Sequence, residues 1–116
     1  MSDQNEKLEI VQGTLDMLIL KTLSAGPLHG YAIANRILLA SDDFLKVEEG
    51  SLYPALHRME RRGWIEAEWG LSELNRKAKY YRLTASGRAQ LKVAVKNWSR
   101  IIDAIAGVMG NRPAEA

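Results

Sequence analysis

The sequence predicts a mainly α-helical chain carrying one small β-hairpin, an α+β fold, and three observations support this. Ahead of Gly63, apolar residues recur at helical spacing in three short segments. Two alternating segments, Trp64–Trp69 and Lys79–Thr84, then bracket a polar, basic stretch. A long stripe follows, Leu91, Val95, Trp98, Ile102, Ile105 and Met109, whose spacings alternate between four and three. Three helices, a hairpin around a basic loop and a long helix make a winged helix-turn-helix followed by a C-terminal dimerisation helix.

The first helix is expected to begin near Gly13–Thr14, with Thr14 as N-cap and Asp16 at N2 facing the positive helix end. Leu15, Leu18, Ile19 and Leu23 are its apolar face, and Gly26–Pro27 stops it. Leu8, Ile10 and Val11 ahead of it either extend it or pack on a neighbour. A second helix is expected from His29–Gly30 to about Leu39, with Ile33, Ile37 and Leu38 inward. Ser41–Asp42–Asp43 breaks it, because short polar side chains compete for the backbone.

The third helix lies in GSLYPALHRMERRG. Ser51 as its cap would put Pro54 at N3, where no intrahelical amide bond is lost; an earlier start would require a kink. Leu52, Leu56 and Met59 form the core stripe, and Gly63 ends the helix. In the hairpin Ile65, Ala67 and Trp69 alternate with Glu66 and Glu68, and Gly70–Ala78 is the connection. Trp64 and Trp69 read as its anchors. Tyr80 and Tyr81 must point to opposite faces, so at most one of them is exposed. Thr84 caps a last helix from about Ala85 to Val108, ended by Gly110 and Pro113.

Composition narrows the chemistry. With 116 residues, 47% apolar and 26% charged, the chain is an ordinary globular one of single-domain size. The absence of cysteine removes disulfides, zinc knuckles and thiol nucleophiles, and is compatible with the cytoplasm. Asp42, Asp43, Glu48 and Glu49 cluster, but have no metal-binding spacing with His29 or His57. There is no glycine-rich phosphate loop and no nucleophile elbow. No enzyme, cofactor or metal is therefore expected. The longest apolar run, Met17–Leu20, is too short to span a bilayer, and the polar start MSDQNEKLEI does not read as a signal peptide. A cytoplasmic protein with no membrane partner is the expectation.

The net charge of +2 conceals an asymmetry. Residues 1–57 hold four basic and eight acidic side chains, residues 58–116 twelve and six, and Arg76–Arg100 holds eight basic residues and no acid. A polyanionic partner would explain this through counterion release, and a solvated basic helix face would explain it equally well. At about 100° per residue, His57, Arg61 and Pro54 fall opposite Leu52, with Tyr53 and Arg58 on the flanks. That face offers donors for guanine edges and phosphates. The basic wing beside it tips the balance towards DNA.

Three stretches, GTLDMLILKTLSAGPLHGYAIANRI, EEGSLYPALHRMERRGWIEAEW and RKAKYYRLTASGRAQL, resemble the PadR family of bacterial transcriptional regulators. HGY, GSLYPAL and YYRLT at this spacing are specific in combination, and the likeness runs from about Gly13 to Leu91. It implies a homodimeric winged-helix repressor of the short subclass, with a single C-terminal helix. On this resemblance and the helix geometry, the expected DNA contacts are Ser51, Tyr53, Pro54, His57, Arg58 and Arg61 on the third helix. His29 and Tyr31 at the start of the second helix, and Arg76, Lys77 and Lys79 in the wing, complete the set. Tyr53 packing over the hairpin and His29 capping locally are the alternatives at those two positions. Glu48 and Glu49 depart from the pattern, placing acids that would repel phosphates at the start of the recognition helix, where they can instead serve the helix dipole.

The expectation of a dimer also stands without the resemblance. Leaving Val95, Trp98, Ile102 and Ile105 in water would forfeit about 1.5–3 kcal/mol each. A second copy, packed along Leu91, Val95, Trp98, Ile102 and Ile105 and helped by Leu8 and Val11, removes that cost. In some short family members a tryptophan on the last helix faces its symmetry mate across a cavity that takes flat aromatic drugs. Trp98 stands at a similar place, so it either lines such a ligand site or only fills the interface. The domain reading is residues 1–84 as the DNA-binding unit with an arm at 1–12, residues 85–110 as the dimerisation helix, and a disordered tail at 111–116. The expected function is sequence-specific repression on a pseudo-palindromic operator, with a small aromatic effector as a further partner. The alternative is a winged-helix protein–protein adaptor that leaves DNA alone.

Overall fold

The structure, a computed structural model, describes residues 12–110. In chain order these form α1 (Gln12–Leu23), β1 (Leu28–His29), α2 (Gly30–Ala40), α3 (Glu49–Arg61), β2 (Ile65–Leu71), β3 (Lys77–Leu83) and α4 (Ala85–Met109). The mainly helical fold with a hairpin is as the sequence predicts: a winged helix-turn-helix with an added long helix. Leu8 and Val11, proposed from sequence for the dimer interface, lie outside the described residues, as does the tail.

The core gathers one face from each of the first three helices and the base of the sheet. Leu15, Ile19, Leu20 and Leu23 of α1 meet Ile33 and Ile37 of α2, Leu52, Leu56 and Met59 of α3, and Ile65, Tyr81 and Leu83 of the hairpin. Tyr81 is buried while Tyr80 is half-buried, as their alternation requires. After α2, Asp42 and Asp43 adopt φ of 54° and 65° and turn the chain towards α3.

Several boundaries differ from the sequence expectation. α1 is already helical at Gln12, so Thr14 lies inside it rather than capping it, and Asp16 points to α3 instead of serving the helix end. α3 starts at Glu49 with Glu48, not Ser51, as N-cap, and its Pro54 sits within the helix. The Glu48 carbonyl accepts from the amides of Ser51 at 3.0 Å and Leu52 at 2.9 Å. Proline is tolerated because the carbonyl it leaves without a partner belongs to Gly50, in an exposed first turn open to water.

The hairpin strands are longer than expected, leaving only residues 72–76 as the loop. The Ser72 amide donates to the Arg76 carbonyl at 2.8 Å and the Asn75 amide to the Ser72 carbonyl at 2.8 Å, with Asn75 at φ 61°. Trp69 is no buried anchor: it is 61% exposed, because its strand continues beyond the edge of the helical layer. Trp64 is half-buried, with the Arg62 guanidinium 5.1 Å above its ring. β1, absent from the sequence expectation, pairs Leu28 with Tyr81 and His29 with Tyr80, giving a three-stranded antiparallel sheet in the order β1-β3-β2.

The wing runs directly into α4. Thr84 Oγ1 accepts from the Gly87 amide at 3.0 Å and donates to the Gly63 carbonyl at 2.6 Å. Gly87 is buried, and a Cβ there would lie 2.0 Å from the Trp64 carbonyl oxygen. Leu91 packs partly on the core, and beyond it α4 leaves the globule.

Candidate nucleic-acid interface

α3 presents Ser51, Tyr53, Pro54, His57 and Arg61 to solvent, while Leu52, Ala55, Leu56 and Met59 face the core. This is the outward face that the helical spacing predicts, with one exception. Arg58 turns back to α1, where its Nη2 lies 2.5 Å from Asp16 Oδ1 and both side chains are largely buried. Among the described residues its Nε has no hydrogen-bond acceptor. Arg58 flanks α3 on the side of α1, and a charge entering that drier site must be paired. Burial nevertheless dominates at Asp16 and lifts its carboxyl above the usual range, against the lowering effect of Arg58. The pair braces the recognition helix and withdraws Arg58 from the exposed set.

At the start of α2, Tyr31 is 73% exposed. Tyr53 leans across from α3 so closely that a Cβ on Gly30 would meet its hydroxyl at 2.6 Å, so any larger residue there would push the Tyr53 ring aside. His29 does not project outwards. Its Nδ1 accepts from the Ala32 amide at 3.2 Å, making it the N-cap of α2, and its side chain is only 15% exposed. The capping alternative therefore describes His29.

In the wing, Arg76 and Lys77 are exposed, and Lys77 Nζ stands 5.4 Å over the Trp69 ring. Lys79 is set back: its Nζ lies 3.7 Å from Glu60 Oε1 of α3 and 5.8 Å from the Tyr81 ring centroid, joining the base of the wing to the recognition helix. A cleft of about 640 Å³ opens between Tyr31, Tyr53 and His57 on one wall and Trp69, Lys77 and Lys79 on the other. Sequence reasoning missed the acids that organise this surface, Asp16, Glu60 and Glu73. They lie 42, 19 and 44 residues from their partners, beyond the reach of helical or strand periodicity.

Away from this face, α4 exposes Val95, Trp98, Ile101, Ile102, Ile105, Val108 and Met109, with Trp98 at 45%. Ile101 and Val108 widen the stripe beyond the seam the heptad spacing outlined. Among the described residues, no group of three His, Cys, Asp or Glu side chains could hold a metal ion, and no helix is long and apolar enough to cross a membrane.

A three-helix core, a wing with basic residues at its tip and a recognition helix with an exposed polar face carry the HGY, GSLYPAL and YYRLT motifs on matching elements. The model of the Transcriptional regulator PadR-like family matches residues 19–93. The chain belongs to this family. Its general role is accordingly that of a DNA-binding transcriptional regulator. An uncharacterised protein of Lysinibacillus sphaericus is 33% identical over 97 residues, covering 84% of this chain and 89% of its own. A Streptococcus mutans protein of known structure superposes with a TM-score of 0.79 at 30% identity, over 90% of this chain and 94% of its own. A PadR-like transcriptional regulator from Bacillus cereus gives 0.71 at 31% identity, over 84% and 93%.

Proposed function

We propose that this PadR-family protein is a sequence-specific repressor that binds a pseudo-palindromic operator as a homodimer. The observation that carries this reading is the union of two surfaces on one frame. The exposed face of α3 lies beside the basic wing tip, and α4, which starts where the wing strand ends, exposes a continuous apolar stripe. α3 would enter the major groove with Tyr53, His57 and Arg61 towards base edges, and with Ser51 and Pro54 at the groove wall. Arg76 and Lys77 would meet phosphates or the minor groove, and Tyr31 a phosphate beside the start of α2. Lys79 and Arg58 would act from behind through Glu60 and Asp16.

The α4 stripe would pair with that of a second copy through Leu91, Val95, Trp98, Ile102 and Ile105. Residues 1–84 would then be the DNA-binding unit, with 85–110 setting the distance between two recognition helices. Half-sites about 34 Å apart, one turn of DNA, follow from the two-fold axis. A small aromatic ligand beside Trp98 would shift the paired helices and misalign one half-site, releasing the DNA. A cytoplasmic location accords with this role.

The test is to select duplexes from a random pool and titrate the winners by fluorescence anisotropy at several salt concentrations. Tight binding of a two-fold-related sequence, with log affinity falling linearly against log salt, is the expected result. Absence of any salt-dependent binding, or a monomer at micromolar concentration in sedimentation, would refute the proposal.

A further inference from the structure

His29 joins four parts of the molecule. Its backbone pairs with Tyr80 in the β1–β3 ladder, and its Nδ1 caps α2 by accepting from the Ala32 amide. Its ring meets the Tyr80 ring edge-on, with centroids 5.4 Å apart and planes at 70°. The fourth contact reaches the wing loop: Nε2 lies 3.6 Å from Glu73 Oε1. Because Nδ1 is the acceptor for the α2 cap, the neutral ring carries its proton on Nε2, the nitrogen nearest Glu73, at a separation slightly longer than a direct hydrogen bond. Tyr80 extends the connection, donating from its hydroxyl to the Leu71 carbonyl at 2.8 Å, where β2 enters the loop.

Glu73 is the puzzle this arrangement answers. It is an acid in the loop that carries Arg76, in the element assigned to phosphates, where a free carboxylate would only repel. Its side chain is 85% exposed, and its own backbone amide and the His29 imidazole hold its carboxyl below the usual range, so it is charged at neutral pH. Resting on the DNA-binding reading above, we propose that His29 is a positioning residue. It clasps the wing loop through Glu73, so that Arg76 and Lys77 stand at a set distance from α3, without itself touching DNA.

Coulomb repulsion and the clasp predict opposite signs for the same substitution. If Glu73 merely repels phosphate, Glu73→Ala tightens binding to every duplex. If it holds the wing, Glu73→Ala weakens binding to the selected operator and to a scrambled duplex alike, by roughly two- to fivefold, the scale of one exposed charge-assisted contact. Glu73→Gln keeps an acceptor for Nε2–H and retains most of the operator affinity. His29→Asn keeps a side-chain oxygen for the α2 cap but falls short of Glu73, so it should match Glu73→Ala. The double variant should be no weaker than either single one.

A second readout needs no DNA. Amide hydrogen exchange across residues 72–76 should quicken in Glu73→Ala and His29→Asn while that of α2 stays unchanged. Unchanged exchange in the loop, or equal tightening on both duplexes, overturns the proposal. Wild-type protein that binds no duplex while the loop exchange responds as expected would instead overturn the DNA-binding reading and leave the clasp standing as a structural contact.

Discussion

Gly87→Ala is a substitution that ordinary helix propensity favours and this structure forbids. Alanine in a helix gains about 0.5–1 kcal/mol over glycine. At Gly87, however, the new Cβ would stand 2.0 Å from the Trp64 carbonyl oxygen, 3.0 Å from its carbon and 3.1 Å from Leu83 Cδ2. Restoring ordinary contact, which begins near 3.4 Å, requires α4 to retreat by about 1.4 Å. The carbonyl cannot swing aside cheaply, because it accepts the Thr84 amide at 3.1 Å. Overpacking on this scale costs about 1–3 kcal/mol and a lost backbone hydrogen bond about 1 kcal/mol more. Set against the propensity gain, the expected net loss is about 2 kcal/mol, or on the order of 10 °C in Tm for a chain of this size. Urea and thermal unfolding followed by circular dichroism at one fixed protein concentration would measure it. Gly50→Ala is the control, since its Cβ would meet nothing within 4 Å. A Gly87→Ala protein at least as stable as wild type, or indistinguishable from Gly50→Ala, would refute the reasoning.

Arg61→Ala should reduce discrimination between operator and scrambled duplex by about 1–3 kcal/mol per half-site, whereas Arg76→Ala with Lys77→Ala should weaken all duplexes alike and lower the salt slope by roughly 4, two phosphates from each subunit, both read by anisotropy titration. Ile102→Glu, placing a charge in the exposed stripe of α4, should shift sedimentation from dimer to monomer at micromolar concentration while leaving the far-ultraviolet circular dichroism unchanged. Asp16 bears on pH dependence: its carboxyl is raised in the folded protein, so the folded state holds the proton more tightly than the unfolded one. The stability this contributes is fully present below the ordinary carboxylate range and is lost as pH rises through the raised value. Wild type should therefore gain stability relative to Asp16→Asn as the pH is lowered through that range, and a parallel pair of urea-midpoint curves would contradict it.

Elements set by local rules were legible along the chain. Thr84 and Gly110 bound α4 within one residue of expectation, because capping chemistry acts over a single turn. The outward set of Tyr53, His57 and Arg61 followed from helical rotation alone, and the alternation of Tyr80 and Tyr81 from the strand pleat. Local rules fell short elsewhere. Ser51 lost the cap of α3 to Glu48 although proline chemistry favoured it, and Trp69 projects past the layer that was expected to cover it. β1 is two residues long and has no periodicity to detect; it exists because Leu28 and His29 come alongside Tyr81 and Tyr80.

The order of patterned segments therefore determined the architecture and the face each helix presents, since backbone geometry alone converts spacing into direction. Only the folded arrangement decided which polar side chains on those faces remain available. Arg58 and Lys79 look as free as Arg61 and Lys77 in the chain, yet Asp16 and Glu60 take them up. The physical reason is that a charge finds its partner through space at a few ångströms, and no short-range pattern along the backbone records which carboxylate the fold brings near.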